Sequence, residues 1–377
     1  MRLPGRPRAG RAAALLLGLG ACAAPEATEL PVCAPLTIDP RPSPRWVDVP
    51  GPGPVEVYVA GAERPIAGSL APPRQEAAGE VRRFRPAFAL SPGLSYEVRT
   101  TTCRSELAVA PLDVPAPRVL AVHPRSEALP ENLLRFYVTF SEPMADAPSN
   151  VPVRLRREGG EDLSGVFFHP REALWSADRR RLTLLVDPGR VKTGLRAHRA
   201  LGRAFAAGQR YRLEVPAGWR SLAGKDLGTP FVHRFVATAE DRAPVDPGRW
   251  CLRTAEGPEG AQLTVEFGEP VDHSSVGRLL QVEGPGATLV AGAWTLDASD
   301  ARARWTPDSP LRAPLRAHRL LVDPRFEDVA GNDLRAAFDH APGAGRDAPG
   351  LVARSLHSAG VEDGGDPCDV SNHEPRR

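Results

Sequence analysis

Leu134-Arg135-Phe136-Tyr137-Val138-Thr139-Phe140-Ser141-Glu142-Pro143 decides the fold, because a related stretch returns as Gln262-Leu263-Thr264-Val265-Glu266-Phe267-Gly268-Glu269-Pro270. In the first copy Leu134, Phe136, Val138 and Phe140 alternate with Arg135, Tyr137 and Thr139. In the second, Leu263, Val265 and Phe267 alternate with Gln262, Thr264 and Glu266. A period of two puts one set in a core and the other in water, which is a half-buried β-strand. Proline after the acidic residue ends each strand, since it cannot donate to a ladder. Glu142 and Glu269 occupy equivalent places in the two copies. That equivalence predicts a shared structural role, such as accepting turn N–H groups, rather than a catalytic pair.

Working outward, a strand–turn–strand cassette closes each part of the chain. It reads Arg83-Phe84-Arg85-Pro86 before Leu94-Ser95-Tyr96-Glu97-Val98, then Leu182-Thr183-Leu184-Leu185-Val186 before Gln209-Arg210-Tyr211-Arg212-Leu213, then Arg304-Trp305-Thr306-Pro307 before Arg319-Leu320-Leu321-Val322. The tips Gly224-Lys225-Asp226 and Gly331-Asn332-Asp333 are turn chemistry, because Gly and Asn tolerate positive φ. Short strands at this spacing indicate β-sandwiches. With 377 residues, 42% hydrophobic content, 41 Pro and 35 Gly, the chain is too long for one sandwich core and favours strands and turns over long helices. The predicted fold class is all-β, a series of sandwich domains: 31–116, 117–240 and 241–345, followed by a flexible tail at 346–377.

At this point the chain resembles the SbsA-type bacterial Ig-like domains. The resemblance rests on Pro117-Arg118-Val119, Pro124, Phe140-Ser141-Glu142-Pro143-Met144, Gly208-Gln209-Arg210-Tyr211 and the Gly224 turn. Residues 241–345 keep the Phe-x-Glu-Pro strand and Asp328-Val329-Ala330-Gly331-Asn332-Asp333-Leu334, but Cys251-Leu252 replaces the usual opening and no Gly-x-x-Tyr is present. Residues 31–116 keep only the late strand. The resemblance implies tandem Ig-like β-sandwiches acting as spacers, adhesion or binding modules, and it implies no chemistry.

Arg2, Arg6, Arg8 and Arg11 precede a short apolar run at 12–19, the pattern of a signal peptide over 1–21. Leu19-Gly20-Ala21-Cys22 resembles the lipobox of bacterial lipoproteins, which implies acylation of Cys22 and a lipid-anchored tether at 22–30. Each buried methylene contributes about 0.8 kcal/mol, so two or three acyl chains hold a protein on a membrane. Ala23 after the cysteine implies the outer membrane or cell surface by the same resemblance. Removing Cys22 leaves Cys33, Cys103, Cys251 and Cys368, an even number, for which disulfides are the default in an exported protein. Three pairings are open. Cys33 with Cys103 and Cys251 with Cys368 each bracket one predicted domain and are the preferred set. No CxxC supports a metal site instead.

Net charge is +2, but residues 118–240 carry 20 basic against 13 acidic side chains, and residues 241–377 carry 15 against 22. Neighbouring domains of opposite sign either attract each other or simply present solvated surfaces. The basic residues lack interleaved aromatics, so nucleic acid is not an expected partner. A long stretch at 187–205 carries Arg190, Lys192, Arg196, His198, Arg199 and Arg203. It resembles an Asp-Pro-Gly-Arg-Ile-Lys-Arg-Gly segment of exported Ig-like proteins. Such a loop either receives an acidic polymer or a partner's carboxylates, with Arg190, Lys192, Arg196 and Arg199 as contacts, or is a turn with a solvated arm.

No Gly-x-Ser-x-Gly elbow, His-Glu-x-x-His helix, phosphate loop or dinucleotide fingerprint occurs. Asp272-His273-Ser274 contains the residue types of a triad, yet adjacency in sequence is not the geometry a triad needs, and a strand-end turn is the expectation. His123 and His169 each precede Pro with no partner in view. The acidic run 362–369 lacks EF-hand spacing. The expected function is therefore non-catalytic, with neither cofactor nor metal: a membrane-anchored envelope lipoprotein for spacing, adhesion or assembly. Polysaccharide or partner binding is the alternative; a polysaccharide binder would need exposed aromatic platforms, and an enzyme of unrecognised type is the rival class.

Overall fold

The structure, a computed structural model, describes residues 30–356 except 78, 147–152, 161, 164, 169–172, 194, 258–259 and 341–349. The signal segment, Cys22, His169, Cys368 and the acidic run at 362–369 lie outside the described residues. The chain is all-β, built of Ig-like sandwiches, and it divides into two compact units.

The first unit holds two sheets. One orders Thr37–Ile38, Val47–Pro50, Gly79–Pro86 and Gly68–Leu70, with Arg74–Glu76 also on Gly79–Pro86; the other orders Glu56–Val59, Ser95–Arg99 and Arg104–Ala108. Val47, Val49, Val57, Val81, Phe84, Tyr96 and Val98 are buried. Cys33 and Cys103 form a disulfide across 70 residues, the bracketing pair expected from the sequence. Cys251, in the second unit, is also disulfide-bonded, and its expected partner Cys368 is not among the described residues.

The second unit contains two sandwiches in succession, each with its own apolar core. The earlier one faces the sheet Leu174–Trp175, Arg181–Leu185, Arg135–Phe140, Val119–His123 against the sheet Ala128–Pro130, Phe231–Thr238, Arg210–Val215, Arg154–Arg157. All pairings are antiparallel except Ala128–Pro130 with Phe231–Thr238. Phe136, Val138 and Phe140 are buried as their period requires, among Leu182, Leu184, Phe205, Leu213 and Phe235. The later sandwich faces Cys251–Gly257, Gly260–Glu266, Arg302–Pro307, Gly292–Leu296 against Thr288–Val290, Leu280–Gly284, Arg319–Val322, Val352–Ser355. Leu263, Val265 and Phe267 enter its core beside Trp305 and Phe326.

Four local expectations change. Residues 352–355, placed in a flexible tail by their sequence surroundings, form a strand on Arg319–Val322, and Leu356 is fully buried. The segment 187–205 is not a solvated arm. It folds into helices Pro188–Val191 and Arg196–Leu201, and it delivers Val191, Ala204 and Phe205 to the core. Asp272 does not end a strand in a turn: its carboxylate accepts the Ser275 N–H at 3.0 Å and caps helix His273–Leu279. Tyr137, placed on the water side by the alternation, is buried, because the next sandwich covers that face.

Candidate functional site

The polar residue types that carry chemistry meet where the two sandwiches of the second unit join. His123, at the end of Val119–His123, points its Nδ1 at Asp300 Oδ1, 2.9 Å away. Asp300 comes from the turn after Gly292–Leu296, is fully buried, and its other oxygen accepts the Arg125 backbone N–H. The His273 ring stacks on His123 with centroids 3.9 Å apart and planes at 15°. His233, on Phe231–Thr238, lies toward the aromatic core of the earlier sandwich, its ring 6.5 Å from Phe136 and 6.1 Å from Phe235, and the charge of Asp300 acts on its titration. His273 Nδ1 and His233 Nε2 are buried without a hydrogen-bond partner. Burial, above all, pulls both imidazoles down to about 4.

Beside this nest lies an ionic cluster. The Tyr137 hydroxyl donates to Asp272 Oδ2 at 2.8 Å, with Ser274 Oγ 3.2 Å away, while the Ser274 hydroxyl donates to Asp272 Oδ1 at 2.8 Å. Arg135 pairs with Glu327 and lies 3.7 Å from Asp272. The Glu327 N–H donates to Ser275 Oγ at 3.2 Å. Burial, then the Asp272 charge, pushes the Tyr137 hydroxyl up to about 12. Burial works against the Arg135 charge, but Asp272, Tyr137 and Glu327 together hold it above its ordinary value. Burial raises the Glu327 carboxyl despite Arg135.

A third group holds the linker between the sandwiches. Asn132 Nδ2 donates to the Asp241 carbonyl at 2.5 Å, and the Asp241 N–H donates back to Asn132 Oδ1 at 2.9 Å. Asn332, from the Asp-x-x-Gly-Asn turn, donates from Nδ2 to the same carbonyl at 3.1 Å and to Asp328 Oδ2 at 2.7 Å. Gly331 sits at φ +83°, and a Cβ there would lie 2.5 Å from Leu134 Cδ2. The turn thus needs glycine both for its backbone and for the close approach of the sandwiches. Burial raises Asp328 well above the usual carboxylate range and lifts Glu269 to about 7, with Asp241 adding to both. Glu142 lies 3.6 Å from Arg180. The two repeat-equivalent glutamates therefore do not share surroundings.

The cationic segment braces the same junction. Lys192 Nζ stands 4.4 Å over the Phe338 ring, Thr193 donates its N–H and hydroxyl to Asp339 Oδ2 at 2.9 and 2.6 Å, and Arg242 meets Asp339 at 3.1 Å. Arg190 donates to the carbonyls of Gly202 and Arg203, at 3.3 and 3.0 Å. Arg203 pairs with Glu131 and Glu240. Arg196 and Arg199 lie exposed on the second short helix.

Chemically, the cluster is closed on itself. Asp272 takes the Ser274 hydroxyl, so Ser274 is not set against His273 as a nucleophile is set against its base. His123 and Asp300 have the base–orienter geometry, yet both are buried and face each other across the seam. Among the described residues no three His, Cys, Asp or Glu side chains converge as metal ligands. None of the six tryptophans is exposed. A groove of about 540 Å³ in the later sandwich is lined by Leu289, Val290, Leu311, Arg312 and His318. No described helix is long and apolar enough to cross a membrane, which says nothing of strands.

The sequence marks Asp272-His273-Ser274 as one run and His123 apart from it; the structure stacks His123 on His273. The sequence does not single out Asp300, Asn132, Glu327 or Asp241, whose partners are 91 to 192 residues distant.

No family model matches the chain, and no curated protein matches it. Among solved structures, the chain is similar to native alpha-2-macroglobulin from Escherichia coli, domains MG0-NIE-MG1, at 11% identity over 64% of this chain and 95% of that one, TM-score 0.22. It is also similar to the Escherichia coli adhesin FdeC, at 11% identity over 87% and 94%, TM-score 0.17. A third is surface layer protein SbsC, domains 4–9, at 10% identity over 81% and 39%, TM-score 0.18. Similarity this slight carries no weight for function, and the fold stands on the strand pairings themselves.

Proposed function

We propose that the chain is a non-catalytic envelope lipoprotein whose Ig-like sandwiches serve as a rigid spacer for adhesion or assembly, held on a membrane through acylated Cys22. One observation carries the reading: Asp272 with Tyr137 and Ser274, Arg135 with Glu327, and His123 with Asp300 are spent on each other across a buried seam. Buried polar groups satisfied in this way fix one geometry, because any other leaves charges without water or partners. A catalytic site needs an open face toward substrate, whereas a spacer needs a stiff joint. Distances between spin labels on the two sandwiches test the stiffness. A single narrow distribution near neutral pH is expected, and a broad one overturns the rigid-spacer reading. Labelling with an alkyne fatty acid tests the anchor, with label expected in the native chain and lost in Cys22→Ser.

A second reading, binding of an acidic polysaccharide or protein partner by 187–205, is favoured by one feature. Arg196 is exposed on the second short helix, while Arg190 and Lys192 are engaged within the chain. Arg196→Ala would lower retention on an acidic-polymer column if that reading holds, and equal retention removes it.

A further inference from the structure

We propose that the seam is an acid-opened joint: in acidic surroundings His273 takes up a proton, and the two sandwiches part about the linker at 240–245. The inference rests on the reading of residues 117–240 and 241–345 as one stiff body near neutral pH.

The stacked pair spans the seam. His123 belongs to the earlier sandwich and His273 to the later one, with rings 3.9 Å apart. Asp300, beside them, already takes His123 Nδ1 and the Arg125 N–H. His273 Nδ1 is buried and unpartnered. A neutral imidazole tolerates that position, whereas an imidazolium there lacks both water and an acceptor.

The groups around His273 decide what its added charge would meet. From its own helix and cap come Asp272, Ser274 and Ser275, with the Asp272 carboxylate committed to Tyr137 and to both serines. From the facing sheet come Arg135, held by Glu327, and Arg181, 5.4 Å over the Tyr137 ring. The turn after Gly292–Leu296 supplies Asp300, and the segment before the Asp-x-x-Gly-Asn turn supplies Glu327. A protonated His273 therefore stacks on His123 within the field of Arg181, and the carboxylates near it are already in use.

The sign follows from linkage. Burial first, then His123 and Arg181, holds the His273 imidazole near 4 in the closed joint, with Asp300 and Asp272 working the other way. Exposed imidazoles titrate near 6.5. The closed form is thus favoured above about 6.5, and that contribution is lost as pH falls toward 4. Glu269, Glu327 and Asp328 act oppositely, since burial raises all three. Glu269, Asp328 and Asp241, however, all belong to the later sandwich and its linker and stay together when the joint opens, while Glu327, paired with Arg135 across the seam, offsets part of the histidine contribution. The His123–His273 contact exists only while it is shut, so the histidines set the direction.

Small-angle scattering of the full chain between about pH 7.5 and 4 tests the device. The maximum dimension is expected to be constant above about pH 6.5 and to grow with a midpoint between about 4 and 6. His273→Gln moves that midpoint down by about one pH unit or removes it. Asp300→Asn, which takes away the counter-charge and leaves the imidazoles, moves it up. Should the histidine variant fail to fold, imidazole NMR of the native chain decides: His273 must gain its proton together with the expansion. A folded chain of constant shape down to about pH 4, a His273 imidazole titrating near 6.5 with the seam shut, or the same expansion in the glutamine variant each overturns the joint. Constant shape with a narrow label distribution near neutral pH defeats only this device. A broad distribution near neutral pH defeats the spacer reading itself.

Discussion

Tyr137 and Asp272 stand 135 residues apart in the chain, and the hydroxyl of the first donates to the carboxylate of the second at 2.8 Å inside the protein. The bond joins two sandwiches, each with a core of its own, although Val329 of the later one packs into the core of the earlier. Tyr137→Phe leaves Asp272 with one donor fewer in a water-poor place, and a lost partner of this kind costs about 1–3 kcal/mol. Urea unfolding of Tyr137→Phe, Asp272→Asn and the double variant measures it. The two changes are expected to couple by about 1 kcal/mol or more, and strict additivity would show that the contact does not hold the seam.

Asn132 holds the linker through two hydrogen bonds to the backbone of Asp241. In Asn132→Ala both backbone groups lose that partner, although the Asp241 carbonyl keeps Asn332. Faster amide exchange at Asp241 and earlier proteolytic cutting at 240–245 are expected, with global stability lower by about 1–2 kcal/mol. Unchanged exchange at that amide would mean the clasp is not what orders the linker.

The strands could be read from the sequence because their signal is local. Leu263, Val265 and Phe267 need only their own alternation to declare a core face, and Gly224 and Gly331 declare their turns by residue type, with φ of +81° and +83°. The first-unit disulfide was legible because Cys33 and Cys103 bracket a set of strand signals. The seam was not legible, and Arg135-Phe136-Tyr137-Val138 shows why. An Arg/Tyr face next to an apolar face is what a solvated strand looks like, and only Asp272, Ser274 and Glu327, far along the chain, cover it. The short helix at His273–Leu279 was missed because seven residues give too few turns for a periodic pattern.

Gly331→Ala strains a backbone at φ +83° and drives a methyl group into Leu134, which the ideal position would place 2.5 Å away. Strain at positive φ and overpacking each cost about 1–3 kcal/mol, so a loss of about 2–4 kcal/mol is expected. Calorimetry of Gly331→Ala beside Gly228→Ala separates the causes. Gly228 also has positive φ, at +75°, with nothing within 4 Å of its added Cβ. Equal losses would assign the whole effect to backbone strain and none to the approach of the two sandwiches.

Cys33–Cys103 closes a loop of 70 residues, and on the chain-entropy model such a bridge stabilises by about 4 kcal/mol. Cys33→Ser with Cys103→Ser is expected to lower the unfolding free energy of the first unit by that amount, followed by the fluorescence of Trp46, its one tryptophan. A free energy unchanged within about 1 kcal/mol would mean that the reduced first unit retains its fold without help from the bridge.

Glu269 gives the chain a pH dependence of its own, opposite in sign to that of the histidines. Burial, then Asp241, raises its carboxyl to about 7 from an ordinary value near 4.5. A raised carboxyl binds its proton more tightly in the folded state, so its contribution is complete below about 4.5 and is lost as pH rises through about 7. The full linkage would approach about 3 kcal/mol, and partial solvent access reduces it to about 1–2 kcal/mol. Glu269→Gln keeps the shape without the charge. It should therefore raise stability by that amount at about pH 8, and the gain should shrink as the pH is lowered toward 5. Unfolding midpoints of the two proteins across that range are the measurement. Parallel curves would show that Glu269 is ionised throughout and that water reaches it beside Asp241.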